Sequence, residues 1–120
     1  MFQSFEDLDV WKRACGLAVK VYEALRLCRD FGLRNQMQRA AVSIASNIAE
    51  GAERSGRDFA RFLTIARGSA AELRTQTYIA ARVGSIDKAT MASIVNETKE
   101  LSKMLFALGK TLKPQPAAEH

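Results

Sequence analysis

The chain contains no proline before Pro114, and this absence most strongly limits what it can fold into. Proline and glycine are the strongest interruptions of regular structure, so a body with few of them consists of long elements joined by short turns. Apolar residues recur along these elements at spacings of three and four, which indicates amphipathic helices. We predict helices over about residues 8–28, 34–52 and 55–83, and a fourth that follows a cap at Ser85 or Asp87 and extends to Leu112.

The bundle spacing and the short connections predict an all-α fold, an antiparallel up-down-up-down four-helix bundle. With 120 residues, the chain has the length of a single domain. We assign residues 1–113 to the bundle and residues 114–120 to a disordered tail. Pro114 and Pro116 cannot continue the last helix, and nothing after them is apolar enough to dock.

Several small residues set expectations for how the helices end and pack. Gly32 provides a backbone freedom that would end the first helix. Ser55, with Asp58 three residues later, resembles a capping box that would begin the third helix. Gly68 lies in the small-residue seam of the third helix, where we expect another helix to approach closely. Gly51 is expected only to weaken the end of the second helix.

The first helix has an unusually wide apolar face. Its main seam is expected to face the bundle and consists of Trp11, Cys15, Ala18, Tyr22 and Leu25. A second apolar stripe on the flank consists of Val10, Leu17, Val21 and Cys28. Together they span roughly 180°, whereas a surface helix needs little more than about 100°. The extra width fits a second packing partner such as another subunit, or two neighbours within one bundle, and the sequence favours neither.

A polar stripe borders the apolar seam on the second helix, and a similar one lies on the third. The stripes consist of Ser43, Asn47 and Glu50 on the second helix and of Ser69 and Glu72 on the third. We predict a polar pairing between these helices, with half-buried carboxylates that accept hydrogen bonds from nearby Ser, Asn and Arg side chains. Such contacts fix helix register or subunit orientation, so a structural polar seam is a stronger interpretation than a ligand site.

Residues 43–51 (SIASNIAEG), 65–73 (IARGSAAEL) and 75–86, together with Phe5, Leu8 and Trp11, carry a family resemblance. They resemble the bacterial four-helix bundle family first noticed as open reading frames in intervening sequences of 23S ribosomal RNA genes. Where the family usually has proline in its Ser-Ile-Pro-Ser-Asn segment, this chain has Ala45, which should leave the second helix straighter. The related accessory variability proteins of diversity-generating retroelements are pentameric barrels whose basic surface engages nucleic acid and a reverse transcriptase. The resemblance therefore implies a bundle that assembles as a homo-oligomer, a pentamer.

The chain is basic, with a net charge of +5 and a pI near 9.6. Lysine and arginine side chains can neutralise phosphates and release counterions, so a polyanionic partner is compatible with this charge. The candidate nucleic-acid contacts on outward helix faces are Arg57 and Arg61 on the third helix and Lys99, Lys103 and Lys110 on the fourth. We find no aromatic residue interleaved with these cations, so the pattern supports phosphate contact without base readout.

The residues of the common catalytic and metal sites are missing from the sequence. The only histidine is His120, which argues against histidine acid-base catalysis and histidine metal sites. Gly51 and Gly56 lack the Lys-Ser/Thr pair of a phosphate-binding loop. Cys15 and Cys28 lie on one predicted helix, about 20 Å apart, too far for a disulfide. We therefore predict no catalytic residue, no metal and no cofactor.

The sequence also lacks the features of export and membrane insertion. No apolar run approaches the about 18 residues that a membrane span requires, and the first residues are acidic where a signal peptide is basic. We expect a cytoplasmic protein. Our first functional hypothesis is a non-enzymatic oligomeric bundle that binds structured RNA or DNA through basic patches. The alternative is a protein-interaction scaffold, accessory to a nucleic-acid enzyme, whose partner docks on the wide apolar face of the first helix or on the polar seam.

Overall fold

Four α-helices make up most of the described chain, which is residues 4–112 of the computed structural model. They are α1 (Asp9–Ala24), α2 (Phe31–Ala52), α3 (Gly56–Arg82) and α4 (Lys88–Thr111), preceded by a 3₁₀ turn at Phe5–Asp7. Each helix packs against the next one, and α1 also packs against α4, which closes the bundle. The predicted all-α four-helix bundle is confirmed. The predicted tail, residues 114–120, lies outside the described residues.

The face of α1 that packs into the core is the flank stripe, which we had expected to be the second apolar stripe and not the main seam. Its buried residues are Val10, Ala14, Leu17 and Val21, continued by Leu25 just past the helix end. Of the expected main seam, only Leu25 is fully buried; Trp11 is half-buried against the Phe5 ring, at 5.2 Å between centroids, and Tyr22 is 48% exposed. The expectation was wrong because both stripes are apolar, and the periodicity of one helix does not reveal which stripe faces its neighbours.

The connection between α1 and α2 also differs from expectation. α1 ends at Ala24 and α2 begins at Phe31, so Gly32 lies inside α2 and does not end the preceding helix. The carboxylate of Asp30 explains the early start, because it accepts a hydrogen bond from the backbone N–H of Leu33 at 3.1 Å. α2 then continues unbroken through Ala45 to Ala52.

The caps of α3 and α4 are of different kinds. Ser55 precedes α3, but its side chain makes no capping hydrogen bond, so the predicted capping box is absent. Gly56, the first residue of α3, has a φ of 51°, and this left-handed backbone conformation favours glycine. Asp87, not Ser85, caps α4 and accepts from the Thr90 backbone N–H at 2.7 Å. Hydrogen bonds from the side chain and backbone of Thr90 lower the pKa of Asp87.

Polar contacts join α1 to α4. The guanidinium of Arg13 makes two hydrogen bonds to the Glu97 carboxylate, from Nε at 3.0 Å and from Nη2 at 2.7 Å. The Lys20 ammonium donates to the Ser93 hydroxyl at 2.7 Å. These two outward-facing cations of α1 are therefore engaged within the bundle.

No helix among residues 4–112 combines the length and hydropathy that a membrane span needs.

Two helices approach each other closely at Gly51 and not at Gly68. A Cβ at Gly51 would lie 2.7 Å from the Cβ of Phe62 and 3.1 Å from a ring carbon of Phe59, so α2 and α3 meet here in a way that only glycine permits. Gly68 is exposed, and a Cβ there would have no neighbouring atom within 4 Å. The prediction that Gly68 is a packing residue is therefore wrong for the bundle itself.

We expect opposite stability effects from alanine at these two glycines. Gly51→Ala should destabilise by about 1–3 kcal/mol, because overpacking outweighs the gain in helix propensity. Gly68→Ala should stabilise by about 0.5–1 kcal/mol, because its position is an open helix interior. Urea unfolding of both variants measures the difference. If Gly68→Ala destabilises the protein or changes its mass in solution, another subunit covers that position.

Candidate nucleic-acid interface

Three of the five residues of the predicted polar seam meet between α2 and α3. The hydroxyls of Ser43 and Ser69 lie 2.8 Å apart and form a hydrogen bond across the two helices. The side-chain amide of Asn47 donates to the Ser43 carbonyl at 2.8 Å and to its hydroxyl at 3.0 Å. Ser69 is buried, so this pairing replaces water that its hydroxyl would otherwise bind.

The two glutamates of the seam do not join this network. Glu50 is exposed and forms an ion pair at 3.2 Å with Arg54, four residues later and just past the end of α2. Glu72 is exposed and borders a surface depression of about 240 Å³ whose lining also includes Arg39 and Ser43. The expectation of half-buried carboxylates was wrong because the long glutamate side chains extend from the edge of the helix contact into water.

The described residues offer few side chains that could act in catalysis or bind a metal. Among residues 4–112, no cluster of three or more His, Cys, Asp or Glu side chains is arranged to hold a metal ion. Cys15 and Cys28 are free and half-buried. Burial raises the pKa of Cys15, which lowers the fraction of the reactive thiolate at neutral pH. The seam hydroxyls bond to each other and to an amide, and neither of these partners is a base.

The predicted cations do not form one cluster. Arg57 and Arg61 are exposed near the start of α3, and Lys99, Lys103 and Lys110 are exposed along α4. Arg61 lies on the α2 side of the bundle, because it lies over the Phe62 ring at 4.7 Å together with Arg54, just past the end of α2, at 4.8 Å.

Two of these cations already have carboxylate neighbours. Arg61 lies 3.6 Å from Asp58, and Lys103 lies 3.5 Å from Glu100. Lys99 and Lys110 have no ion pair with a carboxylate among residues 4–112. An unpaired cation is the more available contact for a phosphate, because no internal salt bridge has to be broken first.

An arginine and an aromatic ring meet between α3 and α4, and neither is among the residues predicted for the site. The guanidinium of Arg67 lies over the Phe106 ring at 4.8 Å, and the ammonium of Lys110 lies 5.4 Å from the same centroid. The expectation that no aromatic residue is interleaved with the cations is therefore wrong. The signal was present on α4, because Phe106 falls seven residues after Lys99 and four before Lys110, on one helical face.

A second pair of cations extends this site along the two helices. α3 and α4 are antiparallel neighbours, and Arg67 lies opposite Phe106. Arg74 lies two turns after Arg67 on α3, and Lys99 lies two turns before Phe106 on α4. The same register therefore places Arg74 opposite Lys99. We call the surface formed by Arg67, Arg74, Lys99, Phe106 and Lys110 the cationic groove.

The cationic groove lacks acidic side chains within the described chain. A helical rotation of about 100° per residue assigns residues to the two facing flanks. They include Ala60, Thr64, Arg67, Ala71, Arg74 and Tyr78 on α3, and Lys88, Lys99, Ser102, Lys103, Phe106, Gly109 and Lys110 on α4. Like charges that face one another without a carboxylate between them produce a positive potential, which attracts anions.

We expect the seam to contribute to stability through its buried hydroxyl. Ser69→Ala should destabilise by about 1 kcal/mol, because it leaves the Ser43 hydroxyl without its partner across the helices. Ser46→Ala, on the exposed side of the same α2, is the matched control and should stay within about 0.5 kcal/mol of wild type. Urea unfolding compares the two. Equal unfolding midpoints for Ser69→Ala and wild type would contradict a stabilising role for the seam.

Comparison with known proteins places this bundle in a family. A model of the 23S rRNA-intervening sequence protein family matches residues 6–107. A crystal structure of a protein of unknown function from the S23 ribosomal protein family of Bacteroides thetaiotaomicron is similar, with 28% sequence identity and a TM-score of 0.78. That match covers 84% of this chain and 98% of the other. Among curated proteins, the search found no match. Because the family model extends from the first turn through most of α4, the chain belongs to the 23S rRNA-intervening sequence protein family.

Proposed function

We propose that this protein is a non-enzymatic homo-oligomeric bundle that binds structured RNA or DNA through the phosphate backbone. The observation that carries the proposal is the cationic groove, where Arg67, Arg74, Lys99 and Lys110 have no carboxylate among the flank residues in the described range. The family description names an intervening sequence of 23S rRNA and no reaction, which fits a nucleic-acid partner better than a small-molecule substrate.

The length of the groove fits several phosphates. Lys99 and Lys110 are eleven residues apart on α4, which corresponds to about 16 Å at 1.5 Å per residue. Along a duplex, one strand presents a phosphate about every 3.4 Å of axis, so the groove spans about five of them. Four cations over this length support about four phosphate contacts per subunit, and the contacts carry no base specificity.

Assembly would multiply this modest site. The α1–α2 face has an open depression of about 660 Å³, and its apolar lining includes Val19, which is 58% exposed, and Tyr22, which is 48% exposed. Apolar surface of this kind is what a second copy of the chain would cover. A closed ring, a pentamer by family resemblance, would repeat the cationic groove around its axis, and weak binding per subunit would become useful avidity.

The second candidate is a protein-interaction scaffold without direct nucleic-acid binding. The same α1–α2 depression favours it, because Arg26 and Glu23 border its apolar floor and would form the polar rim of a protein interface. In that case a protein accessory to nucleic-acid metabolism occupies the depression, and the cationic groove is solvated surface. Salt-dependent binding separates the two candidates.

We expect the affinity for fluorescent RNA and duplex DNA to be micromolar or better near physiological salt and to fall steeply as salt rises, because phosphate contacts release counterions. Lys99→Glu combined with Lys110→Glu should reduce the slope of log affinity against log salt by about 2. Fluorescence anisotropy across a salt series measures the slope, and light scattering on the same samples gives the mass of the assembly.

The matched control combines Lys12→Glu with Arg29→Glu, which changes the net charge by the same amount at exposed positions outside the groove. This control should keep most of the wild-type slope. If the assembled wild-type protein binds neither nucleic acid even at low salt, the phosphate-binding proposal fails and the scaffold candidate gains support.

A further inference from the structure

Phe106 is exposed in the middle of a cationic surface. The ring is 51% exposed, although it lies beside the core-facing Leu105 and between two helices. Arg67 and Lys110 both lie within 5.4 Å of its centroid, so the ring is flanked by cations on its open side. Phosphate binding alone does not need an aromatic ring, whereas single-stranded nucleic-acid sites combine cations with rings on which bases stack.

The surface beside the ring is a shallow depression of about 210 Å³ between α3 and α4. Its floor is Leu63 and Leu105, and its rim carries the Thr64 hydroxyl and the two cations. Gly109 leaves one wall open, because it has no side chain and nothing lies within 4 Å of where a Cβ would be. The volume is below the about 300 Å³ of ordinary ligand pockets and suits one flat ring near the surface.

Arg67 has a donor that the bundle does not satisfy. Its Nε is buried and has no hydrogen-bond partner among residues 4–112. Arg67 also has no ion pair with a described carboxylate, so its position depends on the stacking contact with Phe106. A buried N–H without a partner is costly, and an arginine fork binds phosphate oxygens in a bidentate manner. A phosphate at the rim of the depression would supply the missing acceptor once the Arg67 side chain turns its Nε outward.

We propose that Phe106, Arg67 and Lys110 form a subsite for one unpaired nucleotide of RNA or single-stranded DNA. The base stacks on Phe106, and Arg67 and Lys110 bind the adjacent phosphates. The stacked base displaces the flexible Lys110 ammonium from the exposed face of the ring, and the ammonium then binds a phosphate. A continuous duplex is excluded from the subsite, because its bases are stacked on one another and do not reach a ring set between two helices.

This subsite rests on the proposed function and specifies it: the preferred ligand has a loop, a bulge or a single-stranded end next to a phosphate backbone that occupies the rest of the cationic groove. Most sequence-specific RNA recognition occurs at such unpaired elements, because only there are base faces free to stack. The subsite therefore favours nucleic acids with an unpaired base over a continuous duplex, and it does not distinguish one base from another.

The test compares two hairpin RNAs that differ only in whether the loop nucleotides carry bases or are abasic. Both have the same phosphates, so a difference in affinity reports base contacts. Wild-type protein should bind the hairpin with bases about fivefold to 150-fold more tightly, which is the range for one stacked base. Phe106→Leu should abolish this difference and leave the salt slope unchanged, and Phe106→Trp should restore it. Matching DNA hairpins should show the same ratio, because no 2′-hydroxyl contact is part of the subsite.

Phe31→Leu is the matched control, because Phe31 is 60% exposed and lies under an arginine, Arg34, at 5.4 Å, but on α2 away from the groove. It should keep the preference for bases. Arg67→Lys keeps the charge and removes the planar fork, so it should lower affinity for both hairpins and leave the ratio between them unchanged.

The outcomes separate this inference from the proposed function. If wild-type protein binds both hairpins equally, or if Phe106→Leu keeps the preference, the subsite is wrong, and the proposed function stands as long as charge reversal in the groove weakens binding. If no RNA or DNA binds at low salt, both are wrong. Light scattering on Phe106→Leu shows whether the assembly is intact, and loss of the preference in an intact assembly supports the subsite.

Discussion

The close contact between α2 and α3 determines much of the remaining structure. A glycine at residue 51 allows the α2 backbone to approach Phe59 and Phe62, where a Cβ would lie 2.7 Å from a side-chain carbon. Nearer the middle of the two helices, the Ser43 and Ser69 hydroxyls meet at 2.8 Å. Small residues at both places let the helices approach closely, and close-packed interiors tolerate little change in volume. The rotation of α3 about its own axis is therefore fixed by what it buries against α2.

That rotation also positions the cationic groove. On a helix with about 100° per residue, Arg67 lies about 200° from Ser69, so the packing that turns Ser69 toward α2 turns Arg67 toward α4. Arg74, seven residues beyond Arg67, lies within about 20° of the same line. The seam and the groove are thus opposite flanks of one helix. The seam holds α3 against α2 with neutral hydrogen bonds. The cations Arg67 and Arg74 lie on the opposite flank, in the groove.

The sequence was sufficient for the number and type of elements, and insufficient for their rotation. Absent prolines and helical spacing predict four helices without knowledge of any partner. The core line of α1 could not be predicted, because both apolar stripes fit and only the neighbouring helices select Val10, Leu17 and Val21. Gly51 and Gly68 look alike in sequence for the same reason: the cost of a side chain depends on what faces it. Phe106 was readable from spacing on α4, but its contact with Arg67 depends on the register between two helices.

Electrostatics within the bundle explain why we propose the groove as the phosphate site and not the other basic positions. Arg13, Arg61 and Lys103 have carboxylates within 4 Å, so they carry little net potential outward. In the groove, the helical register places Arg74 opposite Lys99 with no carboxylate on the two flanks, so the two cations repel each other. This repulsion raises the free energy of the unbound protein, and a bound phosphate backbone would relieve it. In the proposed complex, added salt would therefore act in two opposite directions. It would screen the repulsion in the free protein, and it would weaken the complex because counterion release gains less entropy at high salt.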